Sequence, residues 1–192
     1  MVNIHSGGNV GGLLGYSNCP NIYFYNSCNE GNIDGTTSGG LIGYSMYAAL
    51  CVNCFNKGDI TGTSNSGGLM GYFTDMGAFT NSIFNNCINT GNIYGNEETK
   101  KGGILGYSWK DITLRVNNVY YLNNTEKIYK FSLKYNQVVT LESSTKEYMQ
   151  SQEIVDELNA YVNNYNEEHK KDEEFTALRR WKYNIGNYPT FE

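Results

Sequence analysis

Two cysteines three residues apart, Cys51-Val52-Asn53-Cys54, are the first residues whose type and spacing suggest chemistry. A Cys-x-x-Cys supplies half of a zinc site or a dithiol pair. No second such pair follows, and the two histidines, His5 and His169, stand at opposite ends of the chain. Structural thiols are therefore the leading reading, with a disulfide or a metal as the alternatives, and Cys19 beside Pro20 is the expected exposed thiol. Carboxylates offer general acid–base work if two stand about 5 to 9 Å apart. Before Ser108 the only acids are Glu30, Asp34, Asp59, Asp75, Glu97 and Glu98. Gly-Gly-x-x-Gly occurs four times, yet without the Lys-Ser/Thr of a phosphate loop or the ribose-binding acid of a dinucleotide fold. No His-Glu-x-x-His and no Gly-x-Ser-x-Gly is present. The expectation is no catalytic residue, no cofactor and no metal. Tyrosine remains: Tyr16, Tyr44, Tyr72 and Tyr107 follow the four glycine motifs in turn. Facing outward they would form a ligand-stacking strip; facing inward they would be core.

The elements that must position these residues are announced by a repeat. Gly11-Gly12-Leu13-Leu14-Gly15-Tyr16 returns at Gly39, Gly67 and Gly102, at spacings of 28, 28 and 35. A second block, Asn-x-Gly-x-Ile-x-Gly, begins at Asn29, Asn56 and Asn89. Aligning Asn26, Asn53, Asn86 and Asn118 places Phe24, Cys51, Phe84 and Val116 in one column and Ser27, Cys54, Cys87 and Val119 in another. Further columns hold Asn32, Asp59 and Asn92, then Ile33, Ile60 and Ile93. Like residues in like columns, with short apolar runs cut by Gly and Asn, describe stacked parallel strands. Apolar columns would make a core, Asn columns ladders of amides, and paired Gly corners with angles forbidden to a Cβ. Asp59 replaces an Asn in its column, where neighbouring amides can satisfy it.

Composition divides the chain in two. Of the 22 Gly, 21 precede Ser108, whereas only 9 of the 33 charged residues do; Asn totals 27 and Tyr 17. A net charge of -5 excludes a nucleic-acid partner of the usual basic kind. No apolar run approaches the ~18 residues of a membrane span. Met1-Val2-Asn3-Ile4-His5 lacks the basic and apolar segments of a signal peptide. The chain opens inside a unit, which implies further domains of the same protein upstream.

The four Gly-Gly-x-x-Gly-Tyr blocks, with the Asn-Cys-x-Asn-x-Gly linkers from Asn53 and Asn86, resemble the GLUG-motif family. Its repeats occur in bacterial surface and adhesin-like proteins and in accessory regions of IgA-specific metallopeptidases. The copy from Asn26 departs by one column at Cys28, and the last unit runs Asn118-Val119-Tyr120-Tyr121 without a following Gly-Asn-Ile. The resemblance covers about residues 1–122. It implies a cell-surface or secreted protein and a host or cell-wall glycan or protein as partner.

After Leu122 the pattern changes. Ile128–Leu133 alternates with period two and reads as a strand, as does Val138–Leu141 more weakly. Ser144 with Glu147 fits a capping box, and Ile154, Val155, Leu158, Tyr161, Val162 and Tyr165 fall at helical spacing over about three turns. Leu158-Asn159, Trp181 and Gly186-Asn187-Tyr188-Pro189 resemble the endings of many GLUG-bearing chains. The expected fold is mainly β: a right-handed parallel β-solenoid (β-helix) of about four coils over residues 1–122, with a small C-terminal α+β cap over residues 123–192. The expected role is structural or adhesive and non-catalytic; the alternative is a glycan-binding or carbohydrate-active β-helix module.

Overall fold

The computed structural model describes residues 3–74, 82–109, 114–122 and 141–192. The first repeat unit supplies β1 (Ile4–His5), β2 (Asn9–Gly11), β3 (Leu14–Ser17), β4 (Ile22–Tyr25) and β5 (Cys28–Asn29). The second gives β6 (Ile33–Gly39), β7 (Ile42–Ser45), β8 (Ala49–Val52) and β9 (Phe55–Asn56). The third gives β10 (Ile60–Gly67), β11 (Met70–Phe73) and β12 (Ser82–Asn89), and the fourth β13 (Ile93–Tyr94), β14 (Lys100–Gly102), β15 (Leu105–Ser108) and β16 (Leu114–Leu122). The rest comprises β17 (Leu141–Ser144), α1 (Lys146–Met149), α2 (Gln152–His169), β18 (Trp181–Asn184) and β19 (Asn187–Phe191).

Every described pairing among β1–β16 is parallel and joins one unit to the next, in register apart from a shift between Gly62 and Asn65 of β10. Ile4 lies beside Ile33, Ile33 beside Ile60 and Ile60 beside Ile93. Tyr16, Tyr44, Tyr72 and Tyr107 pair in the same way, as do Asn29, Asn56 and Asn89. Strand pairing at one position per unit is what the repeat encodes, because a slip of one residue would turn every side chain to the wrong face.

The strands nevertheless do not form the single right-handed solenoid of about four coils with a small cap that the repeat implied. They are divided among separate parallel sheets of six, four and seven strands. Sheet 1 joins β1, β6, β10 and β13 with β2 and β14; sheet 2 joins β3, β7, β11 and β15; sheet 3 joins β4, β8, β12, β16 and β17 with β5 and β9. The physical reason is that the units are not equivalent. β6 is one continuous strand facing two short ones, β1 and β2, and β10 likewise faces β13 and β14. Sheet 3 is extended by β17, which lies outside the repeat.

The main core lies between the sheets. Leu41, Leu69, Ile42, Met70, Cys51, Phe84 and Val116 meet there with Cys54, Cys87 and Val119, all at most 1% exposed. Full burial of one such side chain stabilises by about 1.5–3 kcal/mol. The glycine pairs act differently from expectation. Among the described residues the one glycine with positive φ is Gly186 (68°). The repeated glycines are required by contact: a Cβ on Gly40 would stand 2.4 Å from Cγ of Asn56, and one on Gly68 2.4 Å from Nδ2 of Asn89.

The later strands of sheet 3 are buried on both faces. Val52, Phe55, Ile88, Tyr120 and Leu122 point away from the main core and pack against Ile154, Val155, Leu158, Val162, Leu178 and Trp181. The helix and hairpin thus lie along the outer face of sheet 3, and β17 alone of the C-terminal elements extends its edge. Helix α1 is capped by Thr145, whose side chain accepts from Tyr148 N, one residue later than the expected Ser144. Helix α2 runs 18 residues, capped by Ser151, and continues through Asn163, Asn164 and Asn166. Asn166 is tied to the Leu178 backbone in both directions (2.8 and 3.0 Å), a tertiary contact that outweighs its weak helix propensity. The strand expected at Ile128–Leu133 lies outside the described residues, as does Val138–Leu141 apart from Leu141.

Candidate functional site

The tyrosine column runs along the outside of sheet 2. Tyr16 is 47% exposed and Tyr44, Tyr72 and Tyr107 are half-buried, whereas Phe73, next to Tyr72, is fully buried. Tyr44, Tyr72 and Tyr107 stack, with centroids 4.7 and 5.4 Å apart and interplanar angles of 28° and 17°, and Tyr16 meets Tyr44 at a tilt of 59° and 5.2 Å. At one end Lys100 Nζ sits 3.6 Å from the Tyr107 centroid. Burial, then the neighbouring Tyr44 and Tyr107 hydroxyls, push the Tyr72 hydroxyl above its ordinary range. The Tyr16 hydroxyl donates to Met46 Sδ at 2.8 Å. The column faces solvent, then, but its ring faces are turned to each other. A sugar ring stacks on an open aromatic face, and the inner rings present edges and hydroxyls instead.

A second column does more than the sequence suggested. Asn26, Asn53, Asn86 and Asn118 all adopt the left-handed conformation, with φ of 50°, 57°, 53° and 56°. Asn enters this region more readily than other residues with a Cβ. Their amides form a ladder of Nδ2–H···Oδ1 bonds of 2.8, 2.7 and 2.6 Å. Each Nδ2 also donates to a backbone carbonyl of the C-terminal segment: Asn26 to Ala177, Asn53 to Arg179, Asn86 to Leu158 and Asn118 to Glu157. Trp181 Nε1 donates to Asn53 Oδ1 at 2.6 Å, and Asn159 brackets the Trp181 backbone through bonds of 2.8 and 2.9 Å. The column of four Asn was legible in the sequence; that its amides hold the chain end rung by rung was not, since no local signal marks a backbone carbonyl as a partner.

Among the described residues, polar groups gather in two shallow grooves. One, of about 340 Å³, crosses the outer face of sheet 1 and is lined by Asn3, Asn32, Asp34, Asp59, Thr61 and Tyr94 among others. In it Asp59 Oδ1 accepts from Asn92 N and Nδ2, both at 2.9 Å, and His5 pairs with Asp34 at 2.8 Å. The other, of about 370 Å³, lies between sheets and C-terminal segment and is lined by Lys57, Asp59, Thr90, Asn92, Lys146 and Tyr188. Neither groove was foreseen beyond the column Asn32, Asp59, Asn92.

The thiols divide by position. Cys51, Cys54 and Cys87 are fully buried, and Cys19 and Cys28 are exposed and unbridged. Cys54 Sγ donates to Val52 O at 3.3 Å and Cys87 Sγ to Asn85 O at 3.2 Å. Burial drives the Cys51 and Cys87 thiols well up, with Cys54 adding to it, so they are held protonated. Cys28 pairs in register with the buried Phe55, yet it is exposed because that position points outward and the C-terminal cover lies over the later units. Among the described residues no three His, Cys, Asp or Glu side chains converge as a metal cluster would need, and no helix is long and apolar enough to cross a membrane.

Comparison of the chain with protein-family models, curated proteins and solved structures finds no match.

Proposed function

We propose that this chain is a non-catalytic structural or adhesive repeat module of a cell-surface or secreted protein, of the kind the GLUG-type motifs suggest. The observation that carries the reading is where the repeated chemistry goes. Asn29, Asn56 and Asn89 bond one another (2.8 Å each), the left-handed asparagines bond one another and the chain end, and the tyrosines stack on one another. Groups committed to neighbours stiffen a scaffold and leave little for turnover. A stalk or an adhesive surface uses that rigidity.

A second reading, glycan binding, is favoured by the groove on sheet 1. It sets Asn and Asp side chains beside Tyr94, which is 50% exposed and offers a stacking surface next to hydrogen-bonding groups. The test is a glycan array read alongside a reducing-sugar assay on the same ligands. A scaffold gives neither signal. Array binding lost in Tyr94→Ala favours the second reading, and turnover abolished by Asp34→Asn with Asp59→Asn overturns the first.

A further inference from the structure

The two ends of the strand stack are built differently. At the β13–β15 end, Glu97, Glu98, Lys100 and Lys101 flank the edge strands, and β17 covers the edge of sheet 3. Charged residues and added cover are how natural sheets prevent edge-to-edge pairing. At the opposite end β1, β2, β3 and β4 each pair on one side alone, as β13, β14 and β15 do at theirs, so the two ends differ in charge and in the β17 cover. Residues 1–29 contain no Asp, Glu, Lys or Arg. This edge carries none of that charged protection.

Its core is also unfinished. Ile4 is 37% exposed, whereas Ile33 and Ile60 in the same column are 1% and 0%. Leu14, Ile22 and Phe24 are only partly buried, against 0–1% for Ile42, Ala49 and Cys51 beside them. Both amide ladders stop here with a group unused. Asn53 Nδ2 donates once along the ladder, to Asn26 Oδ1, and once to Arg179 O; among the described residues Asn26 Nδ2 donates to Ala177 O alone, leaving its ladder hydrogen without an acceptor there. In the other ladder each Nδ2 donates towards the later unit, Asn29 to Asn56 and Asn56 to Asn89. At Asn29 the Oδ1 accepts, among the described residues, from Gly31 N alone, at 3.2 Å. An incoming segment must therefore bring a side-chain carbonyl to Asn26 and a side-chain amide to Asn29, three residues apart. Asparagine at both places does so, since its side chain is donor and acceptor at once.

We infer that this edge is a docking surface for one further repeat unit of the chain's own pattern, added parallel and in register to all three sheets at once. The occupant is a polypeptide with Asn at the two ladder positions and apolar residues above Ile4, Leu14, Ile22 and Phe24. Main-chain bonds supply the affinity and the ladders fix the register, as in strand addition generally. A second copy of this chain fits less well. Its other end sets Glu97, Glu98, Lys100 and Lys101 beside the edge strands and β17 over the edge of sheet 3, so head-to-tail stacking is opposed there, and two copies meeting edge to edge in opposite directions set neither ladder in register.

The experiment fuses a copy of residues 33–58 directly ahead of Asn3, in the full chain, and compares it with the same residues shuffled. Amide hydrogen exchange is read at β1 to β4. The expected result is that edge-facing amides there slow at least about tenfold in the ordered fusion and remain unchanged in the shuffled one. Asn26→Ala and Asn29→Ala within the ordered fusion are expected to return part of that protection. Unchanged exchange in the ordered fusion overturns the inference, as does unfolding of the ordered fusion while the shuffled one stays folded. A dimer of the unextended chain that protects the same amides also overturns it, since a second copy would then own the edge.

Discussion

The asparagine column of sheet 3 and the tyrosine column of sheet 2 come from the same four repeat units, yet they occupy opposite environments. Asn53 and Asn86 are fully buried beneath the C-terminal segment, while Tyr16, Tyr44, Tyr72 and Tyr107 look to solvent. Each column is regular and each is bonded internally. The difference is the cover: α2, the segment from Ala177 to Arg179 and Trp181 lie over the asparagines, and among the described residues no element lies over the tyrosines. A column of polar residues can thus be core when every amide finds a partner, and a column of aromatics can be surface when rings shield one another.

The largest test removes the cover's anchor. Trp181 is 1% exposed and packs on Phe55 and Phe191, with ring centroids 5.6 and 4.7 Å away. Trp181→Ala is expected to cost about 4 kcal/mol in denaturant unfolding. It also removes the indole donor to Asn53. A cost below about 1 kcal/mol would mean that the C-terminal segment does not hold the asparagine column, and the contrast between the columns would fail.

The next test acts on the column itself. Asn53→Ala places a Cβ residue without a side-chain amide at φ 57° and strips partners from Asn26, Asn86, Arg179 O and Trp181 Nε1. Left-handed backbone costs about 1 kcal/mol for Ala, and each buried group left unpaired about 1–3 kcal/mol. The expected loss is about 3 kcal/mol, with Asn53→Gly less damaging by about 1 kcal/mol because it keeps the backbone angle. Equal losses would show that the hydrogen bonds alone select Asn here.

Proton release sharpens the comparison from the covered side. Burial pushes Tyr161 and Tyr165 of α2 up to about 12, with Cys87 adding to the first and Tyr25 to the second. Both values lie above the ordinary 10 of the unfolded chain, so the fold favours the neutral hydroxyls. Their contribution is complete below pH 10 and is lost as pH rises through 12. The melting temperature is expected to hold to about pH 10 and then fall, and Tyr161→Phe is expected to blunt the fall. A flat profile through this window would place α2 off the sheet in solution.

How much of this was legible in the sequence follows from what sets each feature. Ile33, Ile60 and Ile93 announce their pairing because in-register stacking repeats one environment per unit. Gly40 and Gly68 announced a constraint but not its kind, since close approach to Asn56 or Asn89 and a left-handed φ select the same residue. Division into separate sheets escaped the repeat because it depends on unequal strands such as β6 against β1 and β2, which columns average away. The groove on sheet 1 joins in-register neighbours such as His5 and Asp34, whereas the one beside Lys146 joins Lys57 and Asp59 of the repeat to Lys146 and Tyr188 of the C-terminal segment, which no column aligns.

The smallest effect separates surface from core at the tyrosines. Tyr44 lies between Tyr16, which it meets at a tilt, and Tyr72, on which it stacks, and its hydroxyl lies 3.4 Å from Thr74 Oγ1. Half-buried and flanked by a ring on either side, it contributes its two ring contacts and a modest area rather than a filled cavity. Tyr44→Ala is expected to cost about 1 kcal/mol, the worth of such an aromatic pair, and Tyr44→Phe close to nothing. A core aromatic cut to Ala costs about 3–5 kcal/mol, so a loss of that size would return the strip to the interior. Asn53→Ala measured beside it gives the ratio that matters: about three to one if polar residues under cover outweigh aromatics without it, and near unity if the two columns are alike after all.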